Sequence, residues 1–321
     1  MPIIKRKQTM INRRDFLIQS AALVAGGCSC PFAANQCGSI YQGIPIGVIT
    51  YSYRTMPSGP FKAIEYTKAS GLSEIELMCN DLELEAGAPV PKLLWKMTRE
   101  EKLRVAEWRK TVDINSFKAV REKYDAAGIN AHIVKFGILG ASMKQSDAEL
   151  EYCFKVAKIM GAKAITREIP KPETIADWKP MALRIAKLAE KYDIAVAFHN
   201  HLQINATTYD GPLLDWSPKF MINYDIGHYV AANDDDPLAF VKKYHDRIFS
   251  VHLKDRTSKA NGQKNLAFGK GDTPLKGLFA LMQKEGYRFP CDIELEYDIP
   301  ATSDAVREVD VSRAYCKDAI G

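Results

Sequence analysis

The sequence predicts a single-domain (β/α)₈ barrel. From residue 44 onward, eight short runs rich in β-branched residues alternate with helical stretches. Such alternation is typical of a parallel sheet, and eight repeats favour a closed barrel over an open, doubly wound sheet. The 321 residues fit one barrel of roughly 250 residues plus additional segments. No G-x-G-x-x-G motif follows the first predicted strand, so a dinucleotide-binding fold has no support.

The strands are predicted where short β-branched runs end in polar residues. In chain order they are Ile46–Ser52, Glu74–Met78, Asn130–Lys135, Ala162–Arg167, Ala195–Asn200, Met221–Asp225, Ile248–Leu253 and Asp292–Tyr297.

The helices are predicted where apolar residues recur with a period of 3.6 residues between strands. They cover residues 60–69, 114–126, 147–159, 175–191, 237–245, 274–285 and 302–318. Residues 79–113 form a long polar segment, which we interpret as an insertion that makes a helical flap or an edge of the barrel mouth.

Residues 1–34 are predicted to be an export signal and not a part of the fold. Arg13 and Arg14, followed by Phe16 and Leu17, resemble the twin-arginine export signal. The apolar stretch 16–25 has about half of the roughly 20 residues that a membrane span needs. We therefore expect a periplasmic protein or one attached to the cell envelope.

A lipid anchor is one of two outcomes that the signal allows. The run Ala25-Gly26-Gly27-Cys28 resembles a lipobox, in which the cysteine is lipidated. Ordinary cleavage near residues 32–34 is the alternative. Contact with a membrane is expected only through such an anchor at Cys28.

The charge is concentrated in the signal. Residues 1–34 hold five basic residues and one acidic residue, so that segment carries +4 of the formal net charge of +5. The remaining chain carries only +1, which gives no electrostatic reason to expect a nucleic acid partner.

Histidines and carboxylates gather at the carboxyl ends of the predicted strands, where barrels of this kind hold their active sites. Four of the six histidines fall there: His199, His201, His228 and His252. Asp225 and Glu296 stand at depths on neighbouring strands equivalent to that of His252. Two carboxylates and an imidazole without a thiolate suit Mn²⁺, Mg²⁺, Co²⁺ or Zn²⁺. The sequence therefore predicts one divalent metal.

Four motifs in this order resemble the xylose-isomerase-like TIM barrels, the sugar phosphate isomerase/epimerase superfamily, over residues 44–319. They are Asp225-x-x-His228, His252-Leu253-Lys254-Asp255, Gly269-x-Gly271-Asp272 and Glu294-Leu295-Glu296. The superfamily also contains tagatose-type epimerases, inosose dehydratases and endonuclease IV, so the motifs indicate the superfamily better than the reaction.

The resemblance implies the metal ligands. Its usual set, transferred residue by residue, is Glu168, Asp225, His252 and Glu296. Glu296 is preferred to Glu294, which we interpret as a partner of a ligand or a structural ion pair. Many epimerases have Glu-Asn-His on the fifth strand, where this chain has residues 199–201 as His-Asn-His. We expect Glu168 to supply the missing carboxylate, with a surface salt bridge as its alternative role.

The resemblance also implies the remaining roles. Proton transfer is assigned to Glu296, Glu168, His199 and Lys254, and substrate binding to His201, His228, Glu76, Tyr53, Arg54 and Asp255.

The expected function is that of a metal-dependent isomerase or epimerase that acts on a free sugar, keto-sugar or cyclitol through an enediolate. The same enediolate can instead expel a β-substituent, which makes a dehydratase or a keto-glycoside lyase the alternative. A third hypothesis is a sugar-binding barrel without catalysis. The resemblance also implies a homo-oligomer, while the nearly neutral body argues against an endonuclease.

Overall fold

The barrel is closed by eight parallel strands. The computed structural model describes residues 38–136 and 145–321. The twin-arginine motif and the lipobox fall outside the described residues. Each barrel strand pairs with the next along the chain, and the last pairs with the first. The prediction of a (β/α)₈ barrel is confirmed.

The strands follow one another in chain order around the barrel, as successive β-α-β crossovers of one hand produce. They are β2 (Ile44–Ile49), β3 (Glu74–Met78), β4 (Asn130–Lys135), β5 (Ala164–Glu168), β6 (Ala195–His199), β7 (Phe220–Asp225), β8 (Ile248–Leu253) and β11 (Cys291–Ile293). Outside the barrel, β1 (Ile40–Tyr41) pairs with β2, and β9 (Asp255–Arg256) pairs with β10 (Asn265–Leu266).

The described ranges contain ten α-helices, and all seven predicted helices are among them. They are α1 (Pro60–Ala69), α2 (Cys79–Glu85), α3 (Arg99–Thr111), α4 (Ser116–Ala127), α5 (Asp147–Ile159), α6 (Ile175–Tyr192), α7 (Ile226–Ala232), α8 (Pro237–Tyr244), α9 (Leu275–Glu285) and α10 (Ala305–Ile320). Among these helices, none has both the length and the apolar character needed to cross a bilayer.

Helices α2 and α3 lie within the predicted insertion, residues 79–113. A buried ion pair joins them, in which the Arg109 guanidinium contacts the two carboxylate oxygens of Glu83 at 2.7 and 2.8 Å. The Tyr152 hydroxyl of α5 also donates to Glu83, at 3.1 Å. This network attaches the insertion to the barrel wall.

The first and the last barrel strand end three and four residues earlier than predicted, because the side chain of Ser52 takes over backbone hydrogen bonds. The predicted first strand reached Ser52, but β2 ends at Ile49 and a 3₁₀ turn follows. The Ser52 hydroxyl donates to the Ile293 carbonyl and accepts from the Leu295 N–H, both at 3.0 Å. The last strand therefore stops at Ile293, and Glu294 follows its end directly.

Candidate metal centre

Four buried side chains meet inside the barrel, at the carboxyl ends of β6, β7, β8 and β11. They are His199, Asp225, His252 and Glu294, and one ligand atom from each lies within 4.8 Å of the others. None is more than 5% exposed. Two imidazoles and two carboxylates suit Zn²⁺, Co²⁺ or Mn²⁺ better than Mg²⁺, which prefers oxygen ligands. These residues fit the divalent metal that the sequence predicts.

The sheet register brings the four side chains to one level. Asp225 pairs with His252 between β7 and β8, and His199 pairs with Asn223 between β6 and β7. Asn223 and Asp225 are two residues apart, so their side chains point to the same face. Glu294 follows β11, which lies beside β8.

His199 is held as a neutral imidazole. Its Nδ1 lies 2.6 Å from Asn223 Oδ1, while Asn223 Nδ2 lies 2.6 Å from Ser250 Oγ and 3.2 Å from Glu76 Oε2. Burial, with the positive charge of Lys135, holds the pKa of His199 well below its usual value. An imidazole that donates from Nδ1 presents the Nε2 lone pair, which is a form that binds metals.

His252 lies between two carboxylates. Its Nδ1 is 2.9 Å from Glu294 Oε2, and its Nε2 is 2.9 Å from Glu76 Oε2. Burial alone would lower the pKa of His252, but the charges of Glu76 and Glu294 outweigh burial and raise the pKa to about 10. Glu76 was predicted to line the sugar pocket. The structure corrects this, because Glu76 lies in mid-strand, faces the barrel interior and is 0% exposed.

Lys254 adds a buried cation to the centre. Its Nζ lies 2.8 Å from Asp225 Oδ2, 3.0 Å from Glu294 Oε2 and 3.0 Å from Glu296 Oε2. Burial would lower the pKa of Lys254, yet these three carboxylates raise it above the usual value. The ammonium therefore shares its carboxylate partners with the candidate metal.

His228 lies beside the same centre, with its Nε2 2.8 Å from Lys254 Nζ. The helix α7 that carries it was not predicted, since glycine at 227 disfavours a helix. That helix forms because Asp225 caps it, accepting from the His228 N–H at 2.7 Å. Arg256 Nη1 contacts His228 Nδ1, and Lys254 Nζ lies 2.8 Å from His228 Nε2, so both ring nitrogens face cationic groups that only donate hydrogen bonds. Burial, with the charge of Lys254, lowers the pKa of His228 to about 2.

Two of the predicted ligands lie outside the four-residue group. Glu168 Oε2 is 3.2 Å from His201 Nδ1, and Glu168 Oε1 is 3.4 Å from Lys135 Nζ. Glu296 contacts Lys254. The structure thus brings together Asp225 and His252 as predicted, but places His199 and Glu294 beside them in the positions that the sequence analysis gave to Glu168 and Glu296.

Two other groups of three could also hold a metal by distance alone, namely His199 with His201 and His228, and Glu76 with His252 and Asp292. The first is disfavoured because Arg256 contacts one ring nitrogen of His228 and Lys254 contacts the other, at 2.8 Å. The second offers one donor fewer than the four-residue group.

A cavity of about 230 Å³ is lined by residues that follow β2 and β3, and none of the four residues of the centre is among them. Tyr51, Tyr53 and Arg54 are among its lining residues. The Arg54 guanidinium lies 4.5 Å over the Tyr51 ring and donates to the carbonyl of Leu295, which is between the two site glutamates. The Tyr53 ring packs in the hydrophobic core, and its hydroxyl lies 3.0 Å from Ser70 Oγ.

Asp255 was predicted to bind substrate, but in the structure its carboxylate binds the backbone of a neighbouring loop. Its Oδ2 accepts from the backbone N–H groups of Gly269, Lys270 and Gly271 at 2.8, 3.1 and 3.0 Å. A Cβ at position 271 would lie 2.3 Å from Asp255 Oδ1, so this close approach requires glycine. Asp255 therefore organises the Gly-x-Gly loop and has few lone pairs left for a sugar.

Asp255→Asn is expected to destabilise the protein without reducing metal binding. The amide can offer only one oxygen to the backbone donors, so we expect a loss of about 1–3 kcal/mol in the free energy of unfolding. Urea denaturation measures this loss. Asp272→Asn in the same loop is the matched control, because Asp272 accepts from Ser258 N–H at the exposed surface. A normal unfolding curve with an impaired affinity for sugar would contradict the structural role.

The sequence analysis missed Asn223, Thr166 and Ser250 as parts of this site. Each is a buried polar residue within a barrel strand, and each lies two residues before one of the predicted site residues. Alternate residues of a strand share a face, so this period-two pattern was the signal that could have found them.

Comparisons with known proteins agree with this geometry. The family model for xylose isomerase-like TIM barrels matches residues 65–315. Inosose dehydratase from Clostridium tetani is 27% identical over 167 residues, which is 45% of this chain and 55% of that protein. The chain thus spans about half the length of the curated relatives that it matches.

Solved structures support the fold. A zinc-bound IolI protein has a TM-score of 0.62 at 13% identity, over 86% of this chain and 98% of that one. D-allulose 3-epimerase from Methylomonas sp., in complex with D-allulose, has a TM-score of 0.59 at 15% identity, over 86% and 97%. At these identities the likeness establishes the barrel alone.

Proposed function

The chain belongs to the xylose isomerase-like TIM barrel family, and from that premise we propose that it is a divalent-metal-dependent lyase. It would remove a proton beside the carbonyl of a keto-sugar or keto-cyclitol and then expel a β-substituent. The observation that carries this proposal is the buried group of His199, Asp225, His252 and Glu294, with Lys254 beside two of its carboxylates.

Glu296 is the base in this proposal. A bound divalent ion would polarise the substrate carbonyl and acidify the neighbouring C–H bond. The Glu296 side chain is 21% exposed, which leaves it accessible to substrate. Its carboxylate takes the proton, and the electron pair of the C–H bond moves to the carbonyl oxygen. The product of this step is an enolate.

Lys254 is the acid that completes the elimination. The enolate electrons form a carbon–carbon double bond as the β C–O bond breaks, and the Lys254 ammonium protonates the departing oxygen. Water or an alcohol leaves. The proton on Glu296 then returns to Lys254, since the two side chains are 3.0 Å apart.

The placement of acid and base favours elimination over epimerisation. Glu296 and Lys254 are adjacent, so proton removal and proton delivery occur on one face of the substrate. Epimerisation of one carbon needs proton transfer on opposite faces. The curated relatives, which are inosose dehydratases, support the same choice.

Isomerisation or epimerisation is the second candidate, and Glu168 favours it. Together with His201, at 3.2 Å, Glu168 forms a second carboxylate–imidazole pair near the mouth of the barrel. In this second candidate function, the pair carries the proton on the other face of the substrate. The structural likeness to D-allulose 3-epimerase is compatible with that role.

Proton NMR in D₂O tests the proposal, with Zn²⁺- or Mn²⁺-loaded protein and inosose or a 3-keto-glucoside as probes. The second probe is included because its elimination would release an alcohol, where inosose would release water. Elimination removes the resonance of a proton on a hydroxyl-bearing carbon and releases water or alcohol. Deuterium incorporation with every hydroxyl retained would instead establish epimerisation. Sugar binding with no exchange and no product would support the barrel without catalysis.

We also propose export by the twin-arginine route. Replacing Arg13 and Arg14 together with Lys is expected to leave the precursor in the cytoplasm, because the transport signal depends on the arginine pair. Immunoblots of cell fractions measure the distribution, and Lys5 and Lys7 replaced by Arg serve as the control. Unchanged export of the Arg13→Lys, Arg14→Lys protein would contradict the proposal. Loss of membrane association in Cys28→Ser would identify the lipid anchor.

A further inference from the structure

We infer that Glu76 and Asn223 form a positioning pair that sets both imidazoles of the metal centre in the tautomer that binds metal. The inference rests on the proposed metal-dependent function. Neither residue belongs to the four-ligand group. Both lie behind it inside the barrel, each 0% exposed.

The orientation of the Asn223 amide follows from its neighbours. One end of the amide faces Glu76 Oε2 at 3.2 Å, and a carboxylate oxygen only accepts hydrogen bonds. That end must therefore be the NH₂ group. The carbonyl oxygen is left to face His199 Nδ1, at 2.6 Å. His199 consequently carries its hydrogen on Nδ1 and offers the Nε2 lone pair.

Glu76 acts in the same way on the second imidazole. Its Oε2 lies 2.9 Å from His252 Nε2, so the hydrogen of that nitrogen points to Glu76. The other carboxylate oxygen accepts from the Thr166 hydroxyl at 2.8 Å, which fixes the plane of the carboxylate. The Nδ1 of His252 is thereby directed to Glu294 and the metal group.

One buried carboxylate thus controls both imidazoles, His252 directly and His199 through Asn223. Barrel interiors are dominated by branched apolar residues, and a buried carboxylate is unfavourable unless its oxygens are hydrogen-bonded. Glu76 meets that condition with three donors. Carboxylates that bind the outer nitrogen of a histidine ligand are known to fix its tautomer and raise its basicity.

Titration of the full-length protein with Co²⁺ tests the inference. The variants are Glu76→Gln and Asn223→Ala, and the matched control is Glu74→Gln. Glu74 lies on the same strand, and its carboxylate contacts Asn130 at 2.7 Å and His132 at 3.5 Å. We expect Co²⁺ to bind both positioning variants about 10- to 100-fold more weakly than wild type, with an altered visible spectrum. Glu74→Gln is expected to match wild type.

The outcomes separate this inference from the proposed function. Wild-type Co²⁺ affinity and spectrum in both Glu76→Gln and Asn223→Ala would overturn the inference and leave the metal centre intact. A wild-type protein that binds neither Co²⁺ nor Zn²⁺ would overturn both. Circular dichroism of the metal-free proteins identifies a variant that fails to fold, and the other variant then decides the result.

Discussion

Glu294→Gln is expected to lose the metal, whereas Glu296→Gln is expected to keep the metal and lose turnover. Glu294 belongs to the four-ligand group, so a neutral amide there removes a charged donor. Loss of a residue that hydrogen-bonds to a metal ligand lowers metal affinity by roughly 10- to 100-fold. The loss of a ligand in Glu294→Gln should lower the affinity by more than that. Glu296 contacts Lys254, and loss of a general base lowers kcat by about 10²- to 10⁴-fold.

Metal content by plasma mass spectrometry, measured beside inosose turnover, distinguishes the two variants. Glu168→Gln is the control, because its carboxylate pairs with His201 and Lys135 and should leave metal content unchanged. Metal loss in Glu296→Gln and Glu168→Gln, with retention in Glu294→Gln, would contradict this assignment. It would restore the ligand set predicted from the sequence.

Lys254→Met is expected to bind metal more tightly and to lose turnover. The ammonium lies 2.8 Å from Asp225 Oδ2 and 3.0 Å from Glu294 Oε2, so it competes with a cation for two ligand carboxylates. Without the ammonium, the metal-free protein should be less stable by about 3–5 kcal/mol, because buried carboxylates lose their partner. Added Zn²⁺ should restore that stability. Turnover should fall by about 10²- to 10⁴-fold, since the acid is gone.

Calorimetric titration with Zn²⁺ and thermal unfolding with and without chelator measure these effects. Lys135→Met is the matched control. It removes another buried ammonium, but one that pairs with Glu168 at 3.4 Å, and a smaller gain in metal affinity is expected. Zn²⁺ affinity in Lys254→Met that equals or falls below the wild-type value would show that the ammonium and the metal do not share ligands.

The alternation of strands and helices was sufficient to predict the barrel, because local periodicity determines the elements and short connections determine their order. Strand ends were harder to predict. The early end of β11 depends on Ser52, which is 241 residues away from Ile293 in the sequence. No local pattern around Glu294 reports that contact.

The same long-range effects explain where the four-residue group differs from the ligand set predicted from the sequence. Glu296 was preferred to Glu294 because it seemed nearer to the strand end, yet the strand ends at Ile293. Glu168 was chosen to replace a carboxylate on the fifth strand, but His199 itself fills that position as an imidazole. Asp225 and His252 belong both to the predicted ligand set and to the four-residue group, because both lie near the ends of regular strands in register with each other.

Anomalous diffraction from crystals of the cobalt- or zinc-loaded protein tests the central claim most directly. The account predicts one strong peak within about 2.0–2.2 Å of His199, Asp225, His252 and Glu294 ligand atoms. A peak bounded by His199, His201 and His228, one held by Glu168 and Glu296, or no peak in this part of the barrel would contradict it.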